Sequence, residues 1–415
     1  MSGALVAMLA LIVGASGLQP ASATRVQDPR RPSTTFDTAY GCVACHADKR
    51  RAFILGTHSE RGIRCHDCHG GDPSSFEQAT AHRPSFVGSP GKVGIAQLCA
   101  SCHSDPAQMR QYALPVDQFA EFRTSQHGRL LLEQNDTDAP TCTDCHDAHT
   151  ILPREDARSR IYPTNISATC GKCHENSELM AERGLLTDQV ERYRQGAHGV
   201  SLFDEQNFAS PTCVGCHGSH AALPPLVSEV AHVCDRCHVL LRSAFYQGPH
   251  GPPALSGDIP GCLACHSNHG TEQIAPDQIA SLCQTCHGAD SRASVVGIEI
   301  QERVIRSTDE LRTAEHSIEE MVRAGRDVSD VRFRYKTALT YYAQIAQVQH
   351  SLDLERLEDL GLRVGSIARD IRAAAEVSAE ARWEHKLLLV PVWFLALATM
   401  VLSWFKLRDL KQGGS

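Results

Sequence analysis

Residues 140–149 read PTCTDCHDAH, and residues 211–220, which lie 71 positions further along, read PTCVGCHGSH. Both contain the pentapeptide CxxCH, with a second histidine three residues after the first. The chain has nine CxxCH pentapeptides, which use all of its 18 cysteines. They begin at Cys42, Cys65, Cys99, Cys142, Cys170, Cys213, Cys234, Cys262 and Cys283. This uniform use of cysteine predicts one kind of chemistry that recurs along the chain.

CxxCH is the attachment sequence of a c-type haem: the two thiols form thioethers, and the histidine binds the iron. Zinc half-sites, redox dithiols and disulfide frameworks also use paired cysteines, but none requires a histidine after each pair. Because only 22 of the 415 residues are histidine, chance does not explain the pattern. The motifs therefore predict nine haems. They are held by Cys42, Cys45, Cys65, Cys68, Cys99, Cys102, Cys142, Cys145, Cys170, Cys173, Cys213, Cys216, Cys234, Cys237, Cys262, Cys265, Cys283 and Cys286, with proximal ligands His46, His69, His103, His146, His174, His217, His238, His266 and His287.

An internal repeat organises these motifs. Residues 99–153 recur as residues 170–224 without a gap, and a shortened copy follows, in which QGAHG at 195–199 becomes QGPHG at 247–251. A long fixed period indicates stacked supersecondary units. So little polypeptide per haem cannot build an ordinary side-chain core, so the porphyrins must form it. The predicted fold is therefore mainly α with little regular structure: short helices and Pro/Gly loops around a haem core.

The sixth iron ligand distinguishes an electron carrier from an enzyme, because a second histidine closes the iron to small molecules. Thirteen histidines are not the final residue of an attachment motif, and seven of these recur beside the motifs: His58, His127, His149, His198, His220, His250 and His269. His66, His82 and His232 are candidates for the two remaining ligand positions. His316, His350 and His385 are expected to be ordinary surface or helix-packing residues. Met109 and Met180 also recur, and we expect them to pack rather than ligate.

The ten candidate histidines near the motifs are therefore enough to give each of the nine haem irons a second axial ligand. The sequence predicts closed, low-potential haems and no catalytic residue.

The two ends of the chain predict targeting and anchoring. The run ALVAMLALIVGA and the A-x-A sequence at Ala21–Ala23 indicate a signal peptide over 1–23, although no basic residue precedes the run. The uncharged residues 387–405 predict a transmembrane helix over 386–406. The basic residues that follow place the tail, 407–415, in the cytoplasm and the haem domain, 24–290, in the periplasm.

Residues 291–385 contain no proline or cysteine and show apolar positions at helical spacing. They predict two or three long helices, the last of which continues into the membrane. Gly325 and Gly361 are expected to end helices. A scaffold is the favoured role, while a dimer interface and the wall of a quinone site remain alternatives.

The arrangement of His127-Gly128 before the CxxCHxxH that ends at His149, repeated from His198-Gly199 to His220, resembles the doubled-CxxCH multihaem c-type cytochromes. These include the decahaem periplasmic carriers of metal-reducing bacteria and the class III low-potential cytochromes. The resemblance implies electron transfer through close-packed bis-histidine haems between the quinone pool and periplasmic or outer-membrane acceptors.

The C-terminal helices are similar in architecture to those of cytochrome c nitrite reductase and octahaem hydroxylamine oxidoreductase. The chain has no CxxCK motif, however. Nothing marks Tyr335, Tyr341 or Tyr342 as a haem-crosslinking residue.

These observations predict a single-pass electron-transfer cytochrome of the cytoplasmic membrane. Its partners would be quinol or an integral membrane redox protein on one side and a periplasmic or outer-membrane acceptor on the other, with homo-oligomerisation through the C-terminal helices left open. The alternative is a multihaem reductase of nitrogen or sulfur oxyanions with one open haem. The formal net charge of −8 disfavours nucleic acid and favours a basic or neutral docking partner.

Overall fold

A computed structural model describes residues 40–83, 85–223 and 233–412, with the backbone alone described for 378–389 and 409–412. The predicted signal peptide and His232 lie outside the described residues. Within them, all regular structure is helical, as the sequence predicted. The short α-helices that contain no part of an attachment motif are Ala47–Phe53, Thr57–Glu60, Gln78–Ala81, Pro106–Met109, Gln118–Thr124, Gln126–Leu132, Ser177–Ala181, Gln189–Gln195, Ala197–Phe203, Val239–Gln247 and Gly251–Leu255.

The attachment motifs themselves are helical turns of two kinds. Some form an isolated turn that begins at the first cysteine and ends at the histidine, as in Cys65–His69, Cys142–His146 and Cys213–His217. Others form the last turn of a twelve-residue helix, as in Lys92–His103 and Pro163–His174. The helices Gly41–Cys45 and Ile279–Gln284 and the 3₁₀ turn Gly261–Ala264 cover parts of three further motifs. The remaining 3₁₀ turns are Arg110–Tyr112, Pro276–Gln278 and Gln349–Ser351.

The chain forms two compact units. In the described part, the first comprises residues 40–99 and 141–162, and the second comprises residues 100–140 and 163–412. The first contains the motifs at Cys42, Cys65 and Cys142, and the second contains the motifs from Cys170 onward together with the long helices. The division does not coincide with the predicted limit between residues 290 and 291, and the predicted domain limits stay predictions.

Three long helices complete the second unit: Arg292–Arg323, Ser329–Val348 and Leu354–Gln412. We call them the first, second and third long helices. Their apolar positions form two contiguous clusters. One contains Ile300, Val304, Leu311, Ala338, Ile345, Val348, Leu357, Leu360 and Val364, and the other contains Ala314, Ile318, Met321, Val328, Val331, Ala368 and Ile371. The helices are therefore held together by an ordinary side-chain core.

One of the two predicted helix ends is wrong. Gly325 has a positive φ of 70° and follows the end of the first long helix, as expected. Gly361, by contrast, lies inside the third long helix. A Cβ atom there would lie 3.2 Å from the Ser307 hydroxyl, so this glycine serves close approach between the first and third long helices rather than termination.

The third long helix continues without interruption through Pro391 to Gln412. Its segment Val390–Arg408 is long and apolar enough to cross a membrane by length and composition. This agrees in position with the predicted span over 386–406. The orientation of the helix remains a prediction.

Candidate haem-binding sites

The geometry of one helical turn explains the motif. Residues i, i+3 and i+4 share one face of an α-helix, so both thiols and the imidazole project to the same side. In the turn Cys142–His146, the backbone N–H of Thr141 donates to Asp144 Oδ2 at 2.7 Å and fixes the start of the turn. None of the eighteen cysteines forms a disulfide. The sulfurs are therefore available for thioether bonds.

Histidine rings face each other in pairs across these turns. Seven attachment histidines each have a second histidine opposite, with ring centres 6.0–6.4 Å apart. The pairs, attachment histidine first, are His46 and His82, His69 and His149, His174 and His127, His217 and His269, His238 and His198, His266 and His350, and His287 and His250.

This spacing fits a metal ion between the two rings. Two metal–imidazole bonds of about 2 Å each, with about 1 Å more from each nitrogen to its ring centre, put opposed ring centres about 6 Å apart. Among the described residues, no group of three or more His, Cys, Asp or Glu side chains could hold a metal ion. The pairs therefore offer two axial ligands each and leave the equatorial positions to a ligand such as a porphyrin.

Hydrogen bonds at Nδ1 direct the other ring nitrogen toward the metal. Nδ1 of His69 lies 2.8 Å from the Gly88 carbonyl oxygen, and Nδ1 of His266 lies 3.2 Å from that of Glu272. Because a carbonyl only accepts, Nδ1 carries the proton in these rings and the Nε2 lone pair remains for the iron. A backbone carbonyl that fixes the tautomer in this way is the usual support of a histidine ligand.

Burial favours the neutral, ligating form of three of the paired imidazoles, those of His127, His198 and His250. Desolvation, followed by the neighbouring His174, lowers the pKa of His127, and desolvation followed by His238 does the same for the pKa of His198. Desolvation and then His287 lower the pKa of His250. A lowered pKa favours the neutral imidazole, which is the form that binds a metal.

The glycine after three of these histidines has a steric cause. A Cβ atom on Gly128 would collide with the carbonyl oxygen of Phe122, and one on Gly199 would collide with that of Tyr193. Gly251 meets the Tyr246 carbonyl in the same way. The backbone next to each histidine thus lies directly against the preceding helix, which fixes the position of the ring.

The three additional candidates have different surroundings. His82 faces His46 and also stacks on Phe86, with ring centres 4.2 Å apart. His66 instead faces Tyr40, whose hydroxyl is hydrogen-bonded to His66 Nδ1 at 2.8 Å. His232 lies outside the described residues. The structure therefore brings His82, but not His66, against an attachment histidine.

Sequence reasoning missed His350. This residue lies in the 3₁₀ turn after the second long helix, and its Nδ1 donates to the Ala346 carbonyl oxygen at 2.9 Å. Its ring centre is 6.3 Å from that of His266. The only available signal was an excess of histidines, because His350 has no counterpart in the repeat.

Four further predicted ligands are divided between the two units: His58 and His146 belong to the first, and His103 and His220 to the second. Within the second unit, desolvation and then the charge of His220 lower the pKa of His103. Nδ1 of His220 lies 3.8 Å from Glu121 Oε2. In the repeat, His58, His146, His103 and His220 correspond to His127, His217, His174 and His269, respectively. Each of these four counterparts lies opposite a second histidine ring. The ligation of these four stays a prediction.

Cysteines of successive motifs lie beside one another. In the second unit, Cys170 is hydrogen-bonded to Cys213 and lowers its pKa, and Cys262 is hydrogen-bonded to Cys234, whose pKa falls to about 7. In the first unit, the hydrogen bond from Cys99 lowers the pKa of Cys142 to about 7. Thioether sulfurs do not titrate, so what matters in the haem-loaded protein is this proximity.

In the second unit, the second cysteine of a motif also lies near a cysteine of the next motif. Burial and then the charge of Cys234 raise the pKa of Cys216, while burial and then Cys283 raise the pKa of Cys265. The motifs at Cys170, Cys213, Cys234, Cys262 and Cys283 therefore adjoin one another in chain order.

The comparisons with known proteins agree with this site. Residues 57–175 match the family model described as Cytochrome c3. No curated protein and no solved structure matches the chain. The family match and the motif geometry together support a multihaem c-type cytochrome with covalently bound haem.

Proposed function

We propose that this chain is a membrane-anchored electron carrier with nine bis-histidine haems. The observation that carries the proposal is the set of seven opposed histidine pairs at metal-ligating distance. His58, His103, His146 and His220 supply the axial ligands of the two remaining haems. Haem bound at these motifs supplies one-electron transfer at low potential.

The residues of the chain support transfer rather than catalysis. A histidine on each side of the iron leaves no position for a substrate, and the Nδ1–carbonyl hydrogen bonds hold the rings at His69, His217, His266 and His350 in place. Neighbouring cysteines bring the attachment edges of successive haems together. Electrons therefore have a continuous path through the motifs of the second unit in chain order.

The apolar segment Val390–Arg408 supports anchoring in the cytoplasmic membrane. The basic residues Lys406, Arg408 and Lys411 favour a cytoplasmic tail, which places the haem motifs in the periplasm. There the chain exchanges electrons with a membrane redox partner or quinol on one side and with a periplasmic or outer-membrane acceptor on the other.

Oxidation and reduction of the purified protein, compared with substrate turnover, test this function. We expect full, reversible reduction by dithionite and reoxidation by a soluble one-electron acceptor. We expect no consumption of nitrite, hydroxylamine or tetrathionate beyond the background of free haem. Sustained turnover of any of the three would favour a reductase instead.

A further inference from the structure

The first and third long helices run parallel, which gives their bundle two distinct ends. Arg306 pairs with Glu358 at 3.1 Å, and further along both helices Glu310 pairs with Arg372 at 3.0 Å. The second long helix returns between them, so that its end at Val348 lies near the start of the third long helix at Leu354. We call this the haem end of the bundle.

Four contacts place the last two attachment motifs at the haem end. The ring of His266 faces that of His350, and a Cβ atom on Gly248 would lie 3.1 Å from the His350 carbonyl oxygen. The backbone N–H of Ala280 donates to Gln301 Oε1 at 3.0 Å. A Cβ atom on Gly297 would meet the sulfur of Cys283.

The other end of the bundle points toward the apolar segment. The cluster around Ala314, Met321, Val331 and Ile371 is built from residues of the three long helices and the turn at Val328. Beyond it, the third long helix continues unbroken to the membrane-length segment that begins at Val390. From Leu354 to Val390 this helix rises about 54 Å, at about 1.5 Å per residue. Pro391, where a kink would be expected, lies past this stretch.

We propose that the three long helices form a spacer that holds the haem sites of His266 and His287 about 50 Å outside the bilayer, by the helical rise of the third long helix. These two sites then exchange electrons with a redox protein that reaches this height, and not with a quinol in the membrane. This inference rests on the proposed anchoring of Val390–Arg408.

The physical reason is the steep decay of electron tunnelling with distance. The redox ring of a lipid-soluble quinol stays within the bilayer, whose hydrocarbon core is about 30 Å thick. The buried residues Leu357, Val364 and Ala368 and the Glu310–Arg372 pair fix the third long helix against the first. The third long helix is therefore packed against the bundle as far as Ala375. It then continues as an unbroken helix to the apolar segment, which keeps the haem end away from the lipid.

The height can be measured on the full-length, haem-loaded protein in lipid nanodiscs. Electron cryo-microscopy gives the distance from the iron at His266 to the nearer phosphate plane, and we expect about 50 Å. A variant with seven helix-forming residues inserted after Glu376 should move the iron outward by about 10 Å without changing the haem spectrum. An iron near the phosphate plane, or one that the insertion leaves in place, would overturn the spacer.

The partner is tested in the same discs. With a long-chain naphthoquinol in the bilayer and no other protein, we expect the haems at His266 and His287 to stay oxidised, whereas reduced methyl viologen in the buffer reduces them at once. Rapid reduction by the quinol alone would overturn the requirement for a tall partner. Failure of the protein to enter nanodiscs would overturn the anchoring in the proposed function, and the spacer with it.

Discussion

The imidazole rings of His266 and His350 face each other with their centres 6.3 Å apart and their planes inclined by 23°. His266 belongs to an attachment motif, while His350 lies in the 3₁₀ turn that follows the second long helix. Their Nδ1 atoms both donate to backbone carbonyls, of Glu272 and Ala346 respectively. A haem at this motif would therefore receive its second axial ligand from the helical bundle. It would connect the three long helices to the attachment motifs of the second unit.

Replacement of His350 by alanine should open this one haem. The iron would lose its second imidazole, so we expect a new high-spin signal by electron paramagnetic resonance and carbon monoxide binding equivalent to one haem. His316→Ala is the matched control, because His316 lies on the exposed face of the first long helix and pairs with Glu320 at 3.4 Å. An unchanged low-spin spectrum in the His350 variant would show that another group closes the iron.

His82 and His66 should respond differently to substitution. His82→Ala removes the ring opposite His46, and one high-spin haem should appear. His66→Gln removes a ring that faces Tyr40, so the number of low-spin haems should not change. The two spectra, recorded at equal haem content, decide between these candidates. A high-spin haem in the His66 variant alone would reverse the assignment.

The fold and much of the site could be predicted because a covalent motif and a repeat restrict the chain strongly. CxxCH forms one helical turn. The His-Gly pairs at His127 and His198 recur because a side chain in place of either glycine would collide with a backbone carbonyl oxygen. His350 could not be assigned, because its partner is distant in sequence and a helix-end histidine has no distinctive local pattern. Gly361 was misread for a similar reason: a glycine at a close helix contact looks the same in sequence as one at a helix end.

Truncation of Leu357 tests the core of the spacer. This side chain is fully buried between the long helices, and a buried Leu→Ala change costs about 2–5 kcal/mol. Denaturant unfolding monitored by circular dichroism should show this loss. Leu362→Ala, on the same helix but 58% exposed, should cost less than about 0.5 kcal/mol. Equal losses for the two variants would contradict the arrangement of the bundle.

A charge in the apolar segment should release the protein from the membrane. Arginine at the centre of a span costs about 2.5–3.5 kcal/mol, so Leu397→Arg should shift the protein toward the soluble fraction after high-salt or carbonate washing. Leu397→Phe keeps the segment apolar and should remain in the membrane. If both variants fractionate with the membrane to the same extent, this segment is not the anchor.

The central claim is that every iron is closed by two histidines. Electron paramagnetic resonance of the oxidised wild-type protein, quantified against total haem and followed by carbon monoxide addition to the reduced protein, measures this directly. We expect nine low-spin haems, no high-spin signal and no carbon monoxide spectrum. A high-spin signal equivalent to one haem, accompanied by carbon monoxide binding, would contradict the electron carrier and indicate an open, catalytic site.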